Sequence, residues 1–364
     1  MRRLTRAETQ ERNRAKVLAA AQDEFTERGF RDAKIDGIAE RAGLTRGAVY
    51  SNFPGKRALY FAVLADLAER SPRPPRPESV RTARDALGAF ARAWVTRLPL
   101  AADDRPGAAR LGMDLMPEIA SDERIRQPYA QLMKLDAILL GLALERLRLA
   151  GAPPDRLVRV AEAVLTTLHG VSQMAAAAPG FVEPFDAVSV CEQLADLDMD
   201  GGWSPPHMPW IPPARPADEP WSPPHVLDAV RGESARLTGD GVVAILGLHR
   251  LEAVEEAVRA APPDVEVTAV LVTGDPDELG PLARLAVADL CTCLRQAFPP
   301  AAWPRLQVVH DAMGTLAAVA GVPAVSDATE TAVRVAAGRI VARADGRGAC
   351  HAVATVGGPA AKNR

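Results

Sequence analysis

Residues 29–60 read GFRDAKIDGIAERAGLTRGAVYSNFPGKRALY, and this stretch decides the architecture of the N-terminal part of the chain. Ile35, Ile38, Ala39 and Ala42 recur at the i, i+3, i+4, i+7 spacing that gives a helix one buried stripe, and Gly43 ends that helix. Thr45 is placed to accept the free N–H groups of a following turn, so a second helix is expected from Arg46 to Phe53, stopped by Pro54 and Gly55. Val49 and Phe53, four apart, turn inward. That leaves Arg46, Gly47 and Ser51 outside, with Tyr50 and Asn52 at the edges, a small polar surface with one cation at the helix N-terminus. Two short helices joined by a tight turn, the second bearing such a surface, suit a DNA major groove. Its N-terminal residues approach base edges while N–H groups and cations hold phosphates. Lys56, at the start of the next helix, suits a phosphate. The plainer reading is a helix pair that merely packs; agreement at several independent positions favours the DNA reader.

The stretch resembles the DNA-binding domain of the TetR family of transcriptional regulators. The resemblance rests on Gly29-Phe30, on the IDGIAERAGL helix and on the Gly47-x-x-Tyr50-x-x-Phe53-x-x-Lys56 spacing. Val17, Ala21 and Phe25, on one face of the preceding helix, fit it too. The resemblance implies that Arg46, Gly47 and Ser51 face bases, with Ala48 on the same turn, and that Thr45, Tyr50, Asn52 and Lys56 hold phosphate. Lys34 departs from the pattern, standing where a capping Ser or Thr is usual; lysine cannot cap, and a phosphate contact is the role left to it.

Residues 1–70 hold 14 Lys and Arg against 10 Asp and Glu, a local +4 in a chain of −3, which leaves −7 for the remainder. A basic end on an acidic body orients the molecule towards a polyanion. Arg2, Arg3, Arg6, Arg12 and Arg14 form an Arg-rich lead-in, either a flexible arm adding phosphate or minor-groove contacts or a solvated tail. With 364 residues and 48% hydrophobic content the chain can bury more than one core, and regulators of the resembled family are shorter, so something has been added. No stretch approaches 18 uninterrupted apolar residues and no apolar region follows the basic N-terminus, so a cytoplasmic protein is expected. Four cysteines make no disulfide framework.

The fold expected is therefore multidomain. Residues 1–57 form an all-α helix-turn-helix DNA-binding domain, 58–200 a helical ligand-binding and dimerisation domain, 201–225 a Pro/Trp-rich linker and 226–360 an α/β accessory domain. Between 56 and 200 apolar stripes recur at helical spacing over 56–70, 80–98, 108–119, 123–149, 156–176 and 184–197. The resemblance implies that the last two helices pair across a two-fold axis, with Leu157, Val160, Val164, Leu168, Val171 and Met174 on one and Phe185, Val188 and Leu194 on the other. It also implies an effector pocket among the earlier helices. Phe90, Trp94, Leu98, Met113, Met116, Tyr129 and Met133 are candidate lining, Arg110, His169 and Gln173 candidate polar contacts, and ordinary core is the alternative role for all of them. Such a lining favours an apolar or aromatic effector.

Residues 200–225, DGGWSPPHMPWIPPARPADEPWSPPH, are too rich in proline for regular helix or sheet and read as an extended spacer. WSPPH occurs twice, at 203–207 and 221–225. Trp203, Trp210 and Trp221 could clamp the spacer onto its neighbours, or the repeat could dock a partner or bind a metal through His207 and His225, which without further ligands make a weak site. Beyond it, β-rich runs at 241–246, 265–272, 306–309, 331–335 and 339–343 alternate with helical stretches at 251–260, 279–297 and 315–320, the pattern of an α/β domain with a covered sheet. On Val319 to Pro323 and Gly338 to Ala342 this resembles the thioredoxin-like fold, which implies a cis proline near Pro323. Redox chemistry there needs a thiol at the start of the first helix. That place, Gly247-Leu248-His249-Arg250, has none.

Cys291 and Cys293 lie two apart on a helix and do not face each other. Either could pair with Cys350 as a redox switch, or all could be small core residues. His249, His310 and His351 form no ligand cluster. No catalytic residue, cofactor or metal is expected. The sequence thus points to a homodimeric regulator, a repressor released from a double-stranded operator by a small molecule. Its rivals are a redox-responsive regulator and a thiol oxidoreductase-like enzyme fused to a DNA-binding head.

Overall fold

A computed structural model of the chain describes residues 5–71, 80–98, 111–147, 156–199, 202–203 and 213–356. Arg2, Arg3, Arg110, Leu149, His207, Trp210 and the proline-rich break at 72–79 lie outside them.

The head comprises α1 (Arg6–Asp32), α2 (Ile35–Ala42), α3 (Arg46–Tyr50) and the first part of α4 (Lys56–Arg70). Thr5 and Glu8 make a reciprocal capping box, so the lead-in from Arg6 onward is neither flexible arm nor loose tail but the first turns of α1. Arg14 is anchored there, its guanidinium 4.3 Å from the centre of the Phe53 ring and its Nη1 donating to the Asn52 carbonyl at 3.0 Å. α1 is kinked at Gly29, whose φ of 73° only glycine adopts cheaply. Val17, Ala21, Phe25, Ile38, Val49 and Phe53 are buried together, as their spacing predicts.

The helical domain continues through α5 (Ala83–Val95), α6 (Leu115–Ser121), α7 (Glu123–Arg146), α8 (Val158–Ala177) and α9 (Pro184–Leu194). Val160, Val164 and Leu168 are buried inside the chain, where α8 packs on α7, and Val188 of α9 is buried with them, so these four expected seam residues serve the internal core. Near α8 and α9, exposed apolar side chains among the described residues include Met174, Phe181, Phe185, Val190 and Leu197, with Phe181 and Phe185 71% and 82% exposed.

The C-terminal domain is a six-stranded sheet of order β1-β8-β7-β4-β5-β6. β4 (Gly241–Gly247), α10 (Ala253–Ala260), β5 (Glu266–Val272), α11 (Leu279–Ala297) and β6 (Leu306–His310) make two parallel crossovers. After α12 (Thr315–Val319), β7 (Glu330–Ala336) and β8 (Arg339–Asp345) form an antiparallel hairpin on the other side of β4, and α13 (Ala349–Ala354) follows. The hairpin turn is Ala337-Gly338, both at positive φ, which matches the twist of paired strands. Two short strands, β2 (Leu227–Asp228) and β3 (Glu233–Ser234), pair separately.

Two expectations need correction. The proline-rich segment does enter the sheet: β1 (Arg215–Pro220) pairs antiparallel with β8 at the edge, a position that tolerates Pro216 and Pro220 because one side of an edge strand needs no ladder donors. Trp221, in the second WSPPH, is buried with Nε1 donating to the Leu237 carbonyl at 2.6 Å, so it clamps this segment onto the sheet, and His225 is hydrogen-bonded to Ser234 at 2.7 Å. Among the described residues no peptide bond is cis, so the cis proline expected near Pro323 is absent.

Alternation along β4 sorts the two cores. Val243 and Ile245 face Trp221 and α12, whereas Val242, Ala244 and Leu246 face a layer of α10, α11 and α13. α11 is buried around its circumference, Leu282, Leu285, Ala286, Leu290, Cys291 and Cys293 all included. One side lies on the sheet; the other packs against α4, α5 and α7, which among the described residues touch α11 more than they touch one another. Ion pairs flank this junction, Arg156 with Glu255 and Arg259 with Glu145, each at 2.6 Å. The α/β domain is therefore not an appendage. It supplies a core helix to the helical domain.

Candidate nucleic-acid interface

Thr45 caps α3 through its hydroxyl, which accepts from the Ala48 N–H at 3.2 Å. The helix is shorter than 46–53: it ends at Tyr50, and Ser51 to Phe53 close it in a turn, with Asn52 and Phe53 N–H groups both donating to the Val49 carbonyl at 3.0 Å. Val49 and Phe53 are buried while Arg46 projects, its side chain 62% exposed. Arg46 reaches Tyr50 Oη at 3.5 Å and Asp36 at 3.5 Å. The tyrosine hydroxyl and then the carboxylate raise its pKa, so it stays a cation. Tyr50 is 41% exposed. The Ser51 hydroxyl and the Asn52 amide donate to the Ala48 carbonyl at 2.9 and 2.8 Å, which leaves the hydroxyl lone pairs and the amide oxygen unused by that contact. A Cβ on Gly47 would meet only Thr45 Oγ at 3.9 Å, so packing within the chain does not demand glycine here. What glycine supplies is a bare patch of helix at the surface, suited to close approach by a second molecule.

Lys56 is partly engaged. Its ammonium donates to the carbonyls of Arg31 and Ala33, both at 3.1 Å, and lies 4.5 Å from the centre of the Phe30 ring, leaving one of three N–H groups for a phosphate. Lys34 occupies the N-cap of α2 without a side-chain cap. The residue that substitutes is one the sequence reading missed: Glu24, buried on α1, accepts from the Lys34 N–H at 3.4 Å and pairs with Arg41 at 3.0 Å and Arg28 at 3.2 Å. Gly37 carries the signal that could have revealed it. A Cβ at that position would stand 2.9 Å from the Glu24 carboxylate.

Of the candidate effector residues, the structure brings together Trp94, Tyr129 and His169. His169 Nδ1 donates to the Leu165 carbonyl at 2.8 Å, so Nε2 accepts from the Tyr129 hydroxyl at 3.3 Å, and the Trp94 ring centre is 4.9 Å from that of His169. Burial holds the His169 pKa below its ordinary value, which keeps this neutral form. Phe90 stacks beside Trp94 and is fully buried; Met116 and Met133 are partly buried against the same core. Met113 and Gln173 are exposed and do not join them. Sequence reasoning missed Ser172, which accepts from Trp94 Nε1 at 2.9 Å, and Asp136, a buried α7 residue whose Oδ1 has no partner. Burial, then Asp289, pushes the Asp136 carboxyl well up. Asp289 itself comes from α11 and pairs with Arg97.

The loop after β4 is occupied by Arg250, which pairs with the buried Glu330 at 2.6 Å. All four cysteines are free and buried. Burial pushes the Cys291 thiol up to about 12 and the Cys293 thiol up to about 11, and it raises Cys350 as well, the opposite of what a nucleophile or redox sensor requires.

Residues 17–63 match the family described as bacterial regulatory proteins, tetR family. The HTH-type transcriptional regulator SrpR of Pseudomonas putida is 48% identical over 65 residues, 18% of this chain and 30% of that protein. The uncharacterized HTH-type transcriptional regulator TtgW, also of Pseudomonas putida, is likewise 48% identical over 65 residues, 18% of this chain and 48% of that protein. The aligned part thus spans less than half of either relative. Over 51 residues, 14% of this chain and 23% of that protein, the chain is 43% identical to the HTH-type transcriptional activator FasR of Mycolicibacterium smegmatis. Among solved structures, a TetR regulator from Rhodococcus sp. RHA1 is 22% identical with a TM-score of 0.34, covering 52% of this chain and 95% of that one. Among the described residues no helix is long and apolar enough to cross a membrane.

Proposed function

Since residues 17–63 are a TetR-family helix-turn-helix domain, we propose that the chain is a dimeric DNA-binding transcriptional repressor that leaves its operator when a small molecule binds the helical domain. The observation that carries the reading is the surface of α3, where a Thr45-capped turn presents Arg46, bare Gly47, Tyr50 and Ser51 outward while Val49 and Phe53 seat it in the core. Arg46, Gly47 and Ser51 address bases. Thr45, Tyr50, Asn52 and the last N–H of Lys56 address phosphate.

Dimerisation uses the exposed apolar side chains of α8, α9 and their flanks, Met174, Phe181, Phe185, Val190 and Leu197. The effector site centres on Trp94, Tyr129 and His169, whose aromatic faces and neutral imidazole suit an aromatic molecule. We read the α/β domain as a thioredoxin-like scaffold without its thiol, a reading supported by the parallel β-α-β unit of β4 and β5, the antiparallel β7–β8 hairpin beside β4 and a terminal helix packed on that hairpin. Its role is non-catalytic.

Binding of the purified chain to its own promoter region at stated salt, beside an Arg46→Ala, Tyr50→Phe double variant, tests the proposal. Specific binding that the variant loses supports it, and transcription from the same promoter in a reconstituted system then separates repression from activation. Equal binding by both proteins, or none by either, overturns it.

A further inference from the structure

Among the described residues, α4 is the only helix that belongs to both the head and the helical domain, and the α/β domain holds it along its length. Arg57, in its first turn, pairs with Glu278 at the start of α11 and with Asp122, the N-cap of α7, at 2.9 Å. Glu69, in its last turn, pairs with Arg284 of α11 at 3.3 Å. Between these two pins α4, buried at every position from 58 to 65, packs on α11. The loop that precedes α11 also reaches the head itself. Asp277 lines a groove of about 430 Å³ together with Arg14 and the 50–54 turn that closes α3.

We propose that the α/β domain sets the angle of the DNA-binding head through α4, which makes Glu278 and Arg284, more than two hundred residues from α3, positioning residues for operator half-site spacing. The inference rests on the DNA-binding reading and adds a determinant outside the head. Leverage makes small changes matter. Fifteen residues of helix span about 22 Å, so a pivot of roughly 10° at Arg70 moves Lys56 by about 4 Å, more than the rise of one base pair. In this arrangement, whatever loosens or shifts α11 changes the separation of the two α3 helices in a dimer without touching either of them.

The test uses the full-length chain and two single variants at opposite ends of α4, Glu278→Gln and Glu69→Gln. Amide exchange without DNA is followed in α4 and in 46–53, and binding is measured to promoter duplexes whose half-sites are separated by one base pair more or less than the natural site. Exchange at least fivefold faster at the start of α4 in Glu278→Gln, with a loss of at least threefold in discrimination between spacings, is the expected result. Melting temperatures close to the parent distinguish a loosened head from an unfolded one. Exchange and spacing preference within twofold of the parent in both variants would overturn the proposal. If the parent binds no DNA, the DNA-binding reading fails, and the exchange data still decide whether α11 restrains the head.

Discussion

Glu24 offers a prediction whose magnitude follows from its surroundings. Its carboxylate is 2% exposed and serves the Lys34 N–H, Arg41 and Arg28 at once. Breaking a fully buried pair costs about 3–5 kcal/mol, but the Arg41 and Arg28 side chains are 33% and 54% exposed and Arg41 keeps Glu27, so water and that carboxylate recover part of the loss. Adding the lost cap of α2, Glu24→Ala should cost about 2 kcal/mol and Glu24→Gln about 1 kcal/mol. Gly37 supplies the internal control. In the parent, Gly37→Ala drives a Cβ to 2.9 Å from the carboxylate and should destabilise. In Glu24→Ala the obstruction is gone, and the same change should stabilise by up to about 1 kcal/mol through helix propensity. Urea unfolding followed by far-UV circular dichroism is the assay, because the head holds none of the five tryptophans. A Gly37→Ala effect of the same sign and size in both backgrounds would refute the idea that Glu24 holds the turn together.

Replacing both Phe181 and Phe185 by Glu should convert a dimer to a monomer in sedimentation velocity with little change in monomer fold, since neither ring is buried within the chain; a dimer that survives places the seam elsewhere. Burial, then Glu330, raises Glu256 from 4.5 to about 7, so the folded state binds its proton more tightly than the unfolded chain. The resulting penalty is absent below pH 4.5 and complete above about 7, and Glu256→Gln should therefore stabilise at pH 8 and lose that gain as the pH falls to 4.5. A gain independent of pH would contradict this assignment. Native Cys291, Cys293 and Cys350 should resist a thiol reagent until the chain unfolds, and replacing all three by Ser should lower the melting temperature without altering any response of DNA binding to peroxide; rapid labelling of the native protein would restore the redox-responsive reading.

The head was legible because its information is local. The spacing of Ile38, Ala39 and Ala42, the Thr45 cap and the Pro54-Gly55 stop all act within a few residues of the helices they define. The strand runs of the α/β domain were legible for the same reason, and α11 was placed at 279–297 with its observed ends. What pattern reading missed is long-range. Pro216 and Pro220 argue against a strand unless one knows that β8 offers an edge, and the free side of that edge is decided more than a hundred residues away. Glu24 looks like any surface glutamate until α2 folds against it. Val160, Val164 and Leu168 show the stripe of either an internal core or a dimer seam, and periodicity does not say which. α11 did carry one unread sign: apolar residues on every side, more than a sheet alone can cover.

That helix also orders events during synthesis. Residues 56–146 leave the ribosome well before 279–297, so α4, α5 and α7 emerge with the faces they will share with α11 still open to water. Such distant pairing is slow, and the exposed intermediate is the form a chaperone or protease would meet. A chain whose translation stops within the proline-rich segment would hold every side chain of the α3 surface and still lack the helix that completes its interior. The interior of the helical domain is therefore completed only once residues 279–297 have been made.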